Sequence, residues 1–393
     1  MKRENTELTE TIEKKAKVET DTQEEMGAYD YFNKVLKSPK YILAPMVDQS
    51  ELAWRMLSRK YGAHVCFTPM FHSKLFTTKQ YFEDMWEYDE KDRPLIAQFC
   101  GNDPKYLVEA SKLIEDKVDG IDLNLGCPQH IAKRGKYGSF LMEEWDLITQ
   151  IITALCANIK VPISAKIRVF ETEEKTVEYA KTLEKAGVKM LTVHGRLREQ
   201  KGHKTGLCDW TKIRAVKRAL KIPVVANGGI MYNEDIDKCL EFTECDAVMV
   251  AEGSLYNPAI FCEKDEHVNQ WEIAQEYLQI VKENYPGTKS GYIKSHLFKI
   301  FKPSLGQFVD TREQLGKAKS LEDFENVVSQ MKSNLTGLKD SSGVEQNGTN
   351  YHIDEYGYRT LPVWKCQPEI RKCFDSKNST NGLPLGRKHF GSD

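Results

Sequence analysis

The sequence predicts an α/β fold in which a (β/α)8 TIM barrel precedes a smaller C-terminal all-helical domain. Eight short apolar runs recur between residues 41 and 253 of the 393-residue chain, each followed by a polar or glycine-containing turn. The segments between the runs space their apolar residues three and four apart, as amphipathic helices do. Because apolar strands that alternate with helices form a parallel sheet, and eight such units close into a ring, we predict a barrel.

Each predicted strand is apolar along most of its length, which is typical of parallel strands that are buried on both faces. The predicted strands span 41–46 (YILAPM), 64–70 (HVCFTPM), 94–101 (PLIAQFCG), 120–126 (GIDLNLG), 162–168 (PISAKIR), 190–196 (MLTVHGR), 223–229 (PVVANGG) and 246–253 (DAVMVAEG). A doubly wound open sheet is the alternative fold. Such a sheet rarely needs eight units, and no G-x-G-x-x-G motif follows a strand in this sequence.

Differences in composition divide the chain outside the barrel into an N-terminal arm, a helical domain and a C-terminal linker with a tail. Residues 1–30 are charged, poor in aromatics and too acidic for a mitochondrial presequence, so we expect a disordered arm before a barrel domain of 31–265. Residues 266–340 keep helical spacing and lose the strand signal, which predicts the helical domain. Residues 341–393 are a turn-rich linker and a tail, whose aromatic residues from Tyr351 onward predict packing onto a domain.

Composition narrows the classes of function. The net charge of −2 shows no global basic excess, so any nucleic-acid binding must come from a local patch. The ten cysteines include no Cys-x-x-Cys pair, and we expect no metal site. No apolar run approaches the roughly 20 residues that span a bilayer, so we expect no membrane contact. We predict a monomer in the cytoplasm, with the nucleus as a second compartment.

Polar side chains stand at the ends of most predicted strands, where a barrel gathers its chemistry. They are Gln98, Asn124, Lys166, Arg168, His194 and Asn227. Each of them alone is more often a satisfied cap or a structural side chain. Because the strand ends of a barrel converge on one mouth, the six together predict a functional site.

The last two strands end in glycine-containing loops, ANGGI at 226–230 and AEGSL at 251–255. Glycines at these positions let backbone amides approach a phosphate, as in many barrel phosphate sites. The NGG triplet alone is only a turn. Together with AEG at the corresponding barrel position, it predicts a ligand that carries a phosphate.

Lys166 and Cys127 each admit two interpretations. A lysine on a barrel strand forms a Schiff base in an aldolase, or it stabilises the reduced ring of a flavin, and Arg168 on the same strand favours an electron-rich planar group. Cys127 lies between Gly126 and Pro128 in a loop, either as filler near the core or as a thiol that is protonated at neutral pH and can donate a proton. The residues alone leave both questions open.

Five segments together closely resemble the tRNA-dihydrouridine synthases. They are APMVDQSELAWR (44–55), DLNLGCPQHIAKRGKYGSFLMEEWDLI (122–148), AKIRVF (165–170), LTVHGRLREQKG (191–202) and ANGGI (226–230). The pair LNLGCP and VHGR is highly specific for this family. The resemblance is strong over 41–261 and looser over the helical domain, and the most similar branch is the eukaryotic cytosolic one that acts on D-loop positions 16 and 17.

The resemblance implies a flavoprotein oxidoreductase in which the barrel holds FMN and the helical domain binds tRNA. NADPH or NADH would be the reductant. The implied FMN contacts are Pro45, Met46, Val47, Gln98, Lys166 and His194, with the phosphate at Asn227, Gly228, Gly229, Ala251 and Glu252. Bacterial relatives usually have Gly-Arg where this chain has Ala251 and Glu252. Because a glutamate cannot pair with a phosphate, we expect backbone amides to make that contact.

The resemblance also implies the reaction. Hydride passes from the flavin to uracil C6, and Cys127 is the proton donor to C5. Asn124 and Arg168 would hold the polar edge of a uracil that has been unstacked from the D-loop, since chemistry on a base requires its exposure.

Clusters of cations near the predicted mouth would hold the tRNA body through its phosphates. They are Lys133, Arg134 and Lys136 beside Cys127, and Arg196, Arg198, Lys201 and Lys204 after the sixth strand. The helical domain adds Lys294, Lys299 and Lys302. Each cluster alone is usually a solvated face, but the first two flank the mouth.

Two other functions compete with this interpretation. An FMN-dependent barrel that reduces a free pyrimidine or another small enone is the first, and the basic loops and helical domain argue against it because a free base needs no such platform. An RNA-binding barrel without catalysis is the second. The presence of Cys127, Lys166 and His194 argues against that one.

Overall fold

Nine parallel strands build the sheet at the centre of the computed structural model, which describes residues 26–262, 267–342, 352–353 and 358–370. They are β1 Tyr41–Leu43, β2 Val65–Phe67, β3 Phe71–His72, β4 Leu95–Cys100, β5 Gly120–Leu125, β6 Ile163–Arg168, β7 Met190–His194, β8 Val224–Asn227 and β9 Ala247–Val250. β1 pairs with both β2 and β9, and β2 pairs with β4, so the eight strands other than β3 close into a ring. The predicted barrel is confirmed.

β3 is a strand that the sequence pattern did not predict, since it lies beyond the predicted run of 64–70. It is two residues long, and it pairs with β4 through Phe71 and Phe99 rather than standing in the ring. β2 therefore ends earlier than the predicted run of 64–70, and the helices Ser73–Phe76 and Lys79–Met85 follow β3 before the chain reaches β4.

Successive side chains along each strand point alternately into the barrel and out toward the helices. Outward residues such as Leu123 and Val193 pack with the helices in one large cluster. Inward residues of β1, β2, β8 and β9, such as Ile42 and Met249, form a separate inner cluster. The inward positions of the other half of the barrel, from β4 to β7, are largely polar, and these carry the candidate site.

Helices cover the outside of the barrel, as the amphipathic segments predict. The α-helices of this part are Leu52–Lys60, Ser73–Phe76, Lys79–Met85, Pro104–Lys112, His130–Gly135, Trp145–Asn158, Glu173–Ala186, Trp210–Ala219, Glu234–Thr243 and Glu252–Tyr256. Short 3-10 helices are Glu115–Lys117, Gly138–Leu141, Gly202–Lys204 and Pro258–Phe261.

The N-terminal end of the described chain closes the barrel opposite the mouth. Ala28–Asp30 and Tyr31–Val35 form one helical segment, and Tyr31 and Phe32 belong to the inner cluster. The Tyr31 hydroxyl lies against Gly120, the first residue of β5. Residues 1–25 of the predicted arm lie outside the described residues, but Ala28–Asp30 are helical rather than disordered because the side chains that follow them anchor in the barrel.

The predicted C-terminal helical region is present. Its helices are Gln270–Asn284, Ser290–Ile300, Val309–Lys317 and Leu321–Ser341. Capping boxes begin the first and last of them, with Asn269 paired to Glu272 and Ser320 paired to Asp323. The boundaries 31–265 and 266–340 remain predictions, since residues 263–266 lie outside the described residues.

A buried acid joins the helical region to the barrel. Glu51, which follows β1 and is 1% exposed, accepts hydrogen bonds from the Tyr277 hydroxyl at 2.8 Å and from His296 Nε2 at 2.9 Å. The His296 ring stacks on Trp54 with 3.9 Å between ring centroids. Because both partners of Glu51 come from the helical region, this contact fixes that region against the β1 loop.

The described part of the tail packs onto both regions, as its aromatic residues predict. Trp364 is buried in the main core, and its carbonyl accepts a hydrogen bond from Gln270 N at 3.0 Å. Two short antiparallel strands, β10 His352–Ile353 and β11 Arg359–Thr360, were not predicted. Residues 343–351, within the predicted linker, lie outside the described residues.

Candidate active site

Four buried side chains beneath the mouth form a continuous line of hydrogen bonds, which we call the buried relay. It consists of Ser164, Asp122, Gln98 and Asn124. Ser164 Oγ and Gln98 Nε2 both donate to the carboxylate of Asp122, at 2.7 and 2.8 Å. Asn124 Nδ2 donates to Gln98 Oε1 at 2.8 Å. The relay follows the strand register, in which Gln98 is opposite Asp122 and Asp122 is opposite Ser164.

The relay ends on the loop that carries Cys127. Asn124 Oδ1 accepts hydrogen bonds from Gly126 N at 3.2 Å and from Cys127 N at 2.9 Å. One N–H of Gln98 Nε2 and one of Asn124 Nδ2 are accepted by no described residue. Gln98 and Asn124, which are predicted to contact flavin and uracil, therefore have a structural role in holding the Cys127 loop. Each of them also keeps one N–H that can donate to a ligand.

Cations and a serine hold the carbonyl groups of the same loop. Arg168 Nε donates to Gly126 O at 3.0 Å, and Lys201 Nζ donates to Pro128 O at 2.5 Å. Ser139 donates to Cys127 O from its backbone N–H at 3.1 Å and from its hydroxyl at 3.0 Å. Because donors and acceptors of this loop are both satisfied, the position of the thiol is well determined.

Gly138 shows how closely this loop is packed. Its φ of +64° is in the left-handed region, and a Cβ there would meet Cys127 O at 2.8 Å. A side chain at this position would push the Cys127 loop away from its partners.

The Cys127 thiol is half-buried at the mouth. Burial raises the pKa of this thiol above its ordinary value, although the nearby Arg168 and Lys166 pull in the other direction. The thiol is therefore protonated at neutral pH, which is the state that a proton donor needs.

Lys166, Arg168 and Arg196 form a cation cluster around His194. Burial and then Arg168 lower the pKa of Lys166 to about 8, and burial and then Arg196 lower the pKa of Arg168 to about 10. Burial and the three cations hold the pKa of His194 well below its ordinary range. Charges of one sign that lower one another's pKa values indicate a site that would stabilise an anion.

His194 is neutral, and its tautomer follows from its neighbour. Arg196 Nη1 lies 3.1 Å from His194 Nε2. Because a guanidinium can only donate, Nε2 accepts and the imidazole proton is on Nδ1.

Most of the hydrogen-bond donors of the Arg168 guanidinium are occupied by backbone carbonyl groups of the protein, which the sequence did not predict. Its Nη1 donates to Leu197 O at 2.6 Å and to Gln200 O at 3.0 Å, and the residue is 8% exposed. These contacts tie the loop after β7 to the Cys127 loop. Its predicted role at the uracil edge stays a prediction, with Nη2 as the remaining donor nitrogen.

The loop after β8 contains two consecutive glycines in the left-handed region of backbone conformation. Gly228 and Gly229 have φ values of +104° and +83°, and a Cβ on Gly228 would lie 2.7 Å from His194 Cδ2. Asn227 is buried, and its Nδ2 donates to Met249 O at 2.8 Å, which links β8 to β9. Any phosphate contact here would come mainly from backbone amides.

Ala251 and Glu252 begin the short helix after β9, at the predicted phosphate position. The Tyr256 hydroxyl lies 3.4 Å from Glu252 Oε1 and donates to Glu369 of the tail at 2.8 Å. Glu252 therefore has a polar contact inside the protein, and the expectation that backbone amides rather than its side chain meet a phosphate stays a prediction.

Pro45, Met46 and Val47, predicted as flavin contacts, form the loop after β1. Ser50 holds this loop, since its hydroxyl accepts from Met46 N at 3.0 Å. Val47 is 55% exposed, and the other two are partly buried. The loop thus presents an apolar edge beside the strand ends.

The predicted tRNA-binding cations divide into two kinds. Lys133, Arg134 and Lys136 are exposed, and none of them forms an ion pair with a described residue. Arg196 and Arg198 have partners. Arg196 Nε donates to Gly206 O at 3.2 Å, and Arg198 pairs with Glu143 at 3.1 Å. The first three form a basic lip of free charges beside Cys127.

The lysines of the helical region are engaged within the protein. Lys294 donates to Gly316 O at 2.8 Å, Lys299 donates to the Tyr256 hydroxyl at 3.2 Å, and Lys302 pairs with Glu369 at 3.3 Å. Of the three, only Lys302 is paired with a described acid, and Lys294 and Lys299 bond to neutral oxygens and keep their positive charge.

The residues at the mouth fit the flavin that the sequence predicts. The Lys166 ammonium donates no hydrogen bond to a described residue, and Thr192, which is opposite Lys166 in the register, has a buried hydroxyl without a partner among the described residues. Unsatisfied donors beside a cation cluster match a planar ring with carbonyl oxygens and an anionic reduced form.

A second row of inward-facing polar residues, below the strand ends, was not predicted from the sequence. Asp122, Ser164 and Thr192 lie one inward position below the predicted strand-end residues. The signal was a period of two, since D-x-N, S-x-K-x-R and T-x-H occur in three successive strands. Reading each strand as a continuous apolar run hid these residues.

In the described ranges, no helix has the length and apolar character to cross a membrane. Nor do the side chains of three or more His, Cys, Asp or Glu residues come together there in a group that could hold a metal ion.

The fold and site define the class: a (β/α)8-barrel enzyme whose mouth combines a half-buried thiol, a cation cluster and a glycine turn after β8. Within that class, the chain belongs to the dihydrouridine synthase family, whose model matches residues 42–345.

Similar proteins cover most of this chain. The tRNA-dihydrouridine(16/17) synthase of Saccharomyces cerevisiae is 48% identical and aligns over 85% of this chain and 84% of its own length. The Schizosaccharomyces pombe protein of the same name is 43% identical, with 87% and 90% covered. A Rattus norvegicus protein named as tRNA-dihydrouridine(16/17) synthase-like is 44% identical, with 88% and 77% covered. These three names include NAD(P)(+).

Proposed function

We propose that the protein reduces uridine to 5,6-dihydrouridine in the D-loop of tRNA, at positions 16 and 17, with bound FMN and with NADPH or NADH as reductant. The observation that carries the proposal is the placement of the Cys127 thiol, which is half-buried beside the cation cluster in a loop that Asn124 and Arg168 hold. The two positions and the nicotinamide reductant are supported by the names of the relatives.

Gln98, Lys166 and His194 would hold the ring of FMN, and the backbone at Gly228 and Ala251 would face its phosphate. When bound, FMN supplies a hydride from the nicotinamide reductant to uracil C6. The cation cluster favours the extra negative charge of the reduced cofactor, and the uncommitted N–H of Gln98 offers a donor to a ring carbonyl.

Cys127 completes the reduction by donating its proton to uracil C5. One hydride at C6 and one proton at C5 convert the C5=C6 double bond into a single bond, and the resulting thiolate regains a proton from water. Asn124 serves this step in two ways, since its Oδ1 holds Cys127 N while its uncommitted N–H can donate to a uracil carbonyl.

The basic lip would hold the tRNA backbone next to the target base. Its three cations are exposed and unpaired within the described residues, so they can exchange counterions for phosphates at little cost. A small free pyrimidine would gain nothing from such a lip, and this favours a polynucleotide substrate over the small enone considered above.

The test is incubation of the purified protein and NADPH with unmodified tRNA, followed by mass-spectrometric mapping of dihydrouridine. Product at positions 16 and 17 is expected. Absorbance near 450 nm that NADPH bleaches tests the flavin separately. Bleaching without product on any tRNA would remove the substrate assignment and leave the flavin assignment standing.

The monomeric state and the cytoplasmic and nuclear location also remain predictions. Light scattering of the purified protein tests the first, and microscopy of a tagged chain tests the second.

A further inference from the structure

The buried relay begins at a charge that the reaction itself does not use. Asp122 is 0% exposed, and its two hydrogen-bond partners, Gln98 and Ser164, are both neutral. No described cation lies within ion-pair distance of it, and Lys166 acts on it only through a longer-range interaction. Burial of a carboxylate under these conditions is unfavourable, and an asparagine would occupy the same space without that penalty.

The charge has one property that an amide lacks, because an ionised carboxylate can only accept hydrogen bonds. Gln98 must therefore turn its NH2 group toward Asp122, which leaves Gln98 Oε1 facing Asn124. Asn124 must in turn present its NH2 group to Gln98. Its Oδ1 is then the atom that faces the N–H groups of Gly126 and Cys127.

We propose that Asp122 is a positioning residue that sets the direction of every hydrogen bond in the buried relay and so holds the Cys127 loop in its working position. The same direction leaves N–H groups, rather than carbonyl oxygens, free on Gln98 and Asn124. The mouth is thereby matched to ligand carbonyl oxygens such as those of uracil. This inference deepens the proposed function and rests on it for the role of Cys127.

The reversed relay shows why the direction matters. If residue 122 could donate to Gln98, both amides could turn over, and Asn124 Nδ2 would then face two backbone N–H groups. Donor groups that face each other are unsatisfied, so the Cys127 loop would leave its position to find other partners. A neutral residue 122 therefore permits a released loop that the carboxylate excludes.

The test uses Asp122→Asn and a double variant that moves the carboxylate one step along the relay. In Asp122→Asn combined with Gln98→Glu, residue 98 becomes the group that only accepts. Asn124 is again obliged to present its NH2 group to it. Ser164→Ala is the matched control, since it removes the other partner of Asp122 and leaves the carboxylate in place.

The readout is the rate at which iodoacetamide alkylates Cys127, followed by mass spectrometry of its peptide, in protein without tRNA or reductant. We expect this rate to rise about fivefold or more in Asp122→Asn, because a released loop exposes the thiol and increases its thiolate fraction. Ser164→Ala should stay within about twofold of the wild type, and the double variant should react clearly more slowly than Asp122→Asn.

An unchanged rate in Asp122→Asn would overturn the proposal, and so would an equal rise in the single and double variants, which would mean that Asp122 only fills space. Dihydrouridine formation by the wild type is measured separately, so failure of the proposed function leaves a different signature. Steady-state kinetics of Asp122→Asn provide a second readout, in which kcat on tRNA falls while KM changes little.

Discussion

Lys201 Nζ donates a hydrogen bond to the carbonyl oxygen of Pro128, next to Cys127, at 2.5 Å. This contact crosses from the loop after β7 to the loop after β5, and Arg168 reinforces it by bonding to both loops. A lysine that looks like a phosphate contact in the sequence is therefore a brace for the proposed proton donor. Removal of a residue that holds the Cys127 loop should lower turnover, whereas removal of a phosphate contact should lower tRNA affinity.

For Lys201→Ala, we expect turnover on tRNA to fall about tenfold with little change in tRNA affinity, because the loop loses a charge-assisted hydrogen bond worth roughly 1.5 to 3 kcal/mol. Steady-state kinetics and a binding titration measure the two effects. Lys204→Ala is the comparison, because this exposed lysine of the same loop is a predicted phosphate contact and its removal should lower tRNA affinity with little change in turnover. A loss of affinity with unchanged turnover would instead identify Lys201 as a phosphate contact.

Substitutions in the basic lip should lower tRNA affinity rather than turnover. In Lys133→Ala combined with Arg134→Ala, we expect weaker tRNA binding and a shallower dependence of log affinity on log salt. The slope should fall by roughly 0.7 to 0.9 for each phosphate contact removed. The control is Lys181→Ala with Lys185→Ala, two exposed cations on an outer helix. Equal slopes for both double variants would exclude the lip from the interface.

The thiol itself is tested by Cys127→Ala. Without the proposed proton donor, dihydrouridine formation should fall by about 100-fold or more, which is the usual size of a general-acid contribution. Bleaching of the flavin by NADPH should continue at the wild-type rate, because that step does not use the thiol. Cys156→Ala, on the outer helix Trp145–Asn158, is the control. Undiminished product in Cys127→Ala would rule out the proposed role.

The raised pKa of the Asp122 carboxyl should make the free energy of unfolding depend on pH. Burial raises the pKa of its carboxyl from 3.8 to about 6, so the protonated form is favoured in the folded state. Its contribution to the free energy of unfolding is therefore fully present below about pH 4 and is lost as pH rises through 6.

We expect the stability of the wild type relative to Asp122→Asn to fall by about 2.5 kcal/mol between pH 4 and pH 7, since one pKa unit corresponds to about 1.4 kcal/mol and the unfolded carboxyl is already partly ionised at pH 4. Denaturant unfolding of both proteins across this range measures the difference. If the two stabilities remain parallel, Asp122 does not titrate with a raised pKa.

The tail should support the loops on the predicted phosphate side. Arg359 pairs with Glu234, which follows β8, at 2.8 Å, and Glu369 accepts from Tyr256, which follows β9. For Glu369→Ala with Arg359→Ala, we expect a lower melting temperature and about tenfold weaker FMN retention in dialysis. Glu313→Ala, from an exposed pair with Lys317, is the control, because such pairs contribute little. Normal retention in the double variant would show that the tail does not support these loops.

The strands could be predicted because burial on both faces imposes apolar runs that are visible at short range. The convergence of Gln98, Lys166 and His194 on one mouth follows from the closed parallel barrel. The partners of Arg168 could not be predicted, since Leu197 and Gln200 reach it through the path of an irregular loop. Asp122 was readable as part of a period of two, but it lies within a run that is otherwise apolar.

Residues 358–370 contact the loops after β8 and β9 from far along the chain. A ribosome releases a polypeptide N-terminus first, at about 5 to 20 residues per second, so the sheet that closes between β1 and β9 can assemble before this segment emerges. Glu369 reaches Tyr256 only afterwards. A closed barrel can therefore form on the nascent chain seconds before residues 358–370 contact the loops after β8 and β9, and a ligand bound at those loops would be held by the tail only after that segment has emerged.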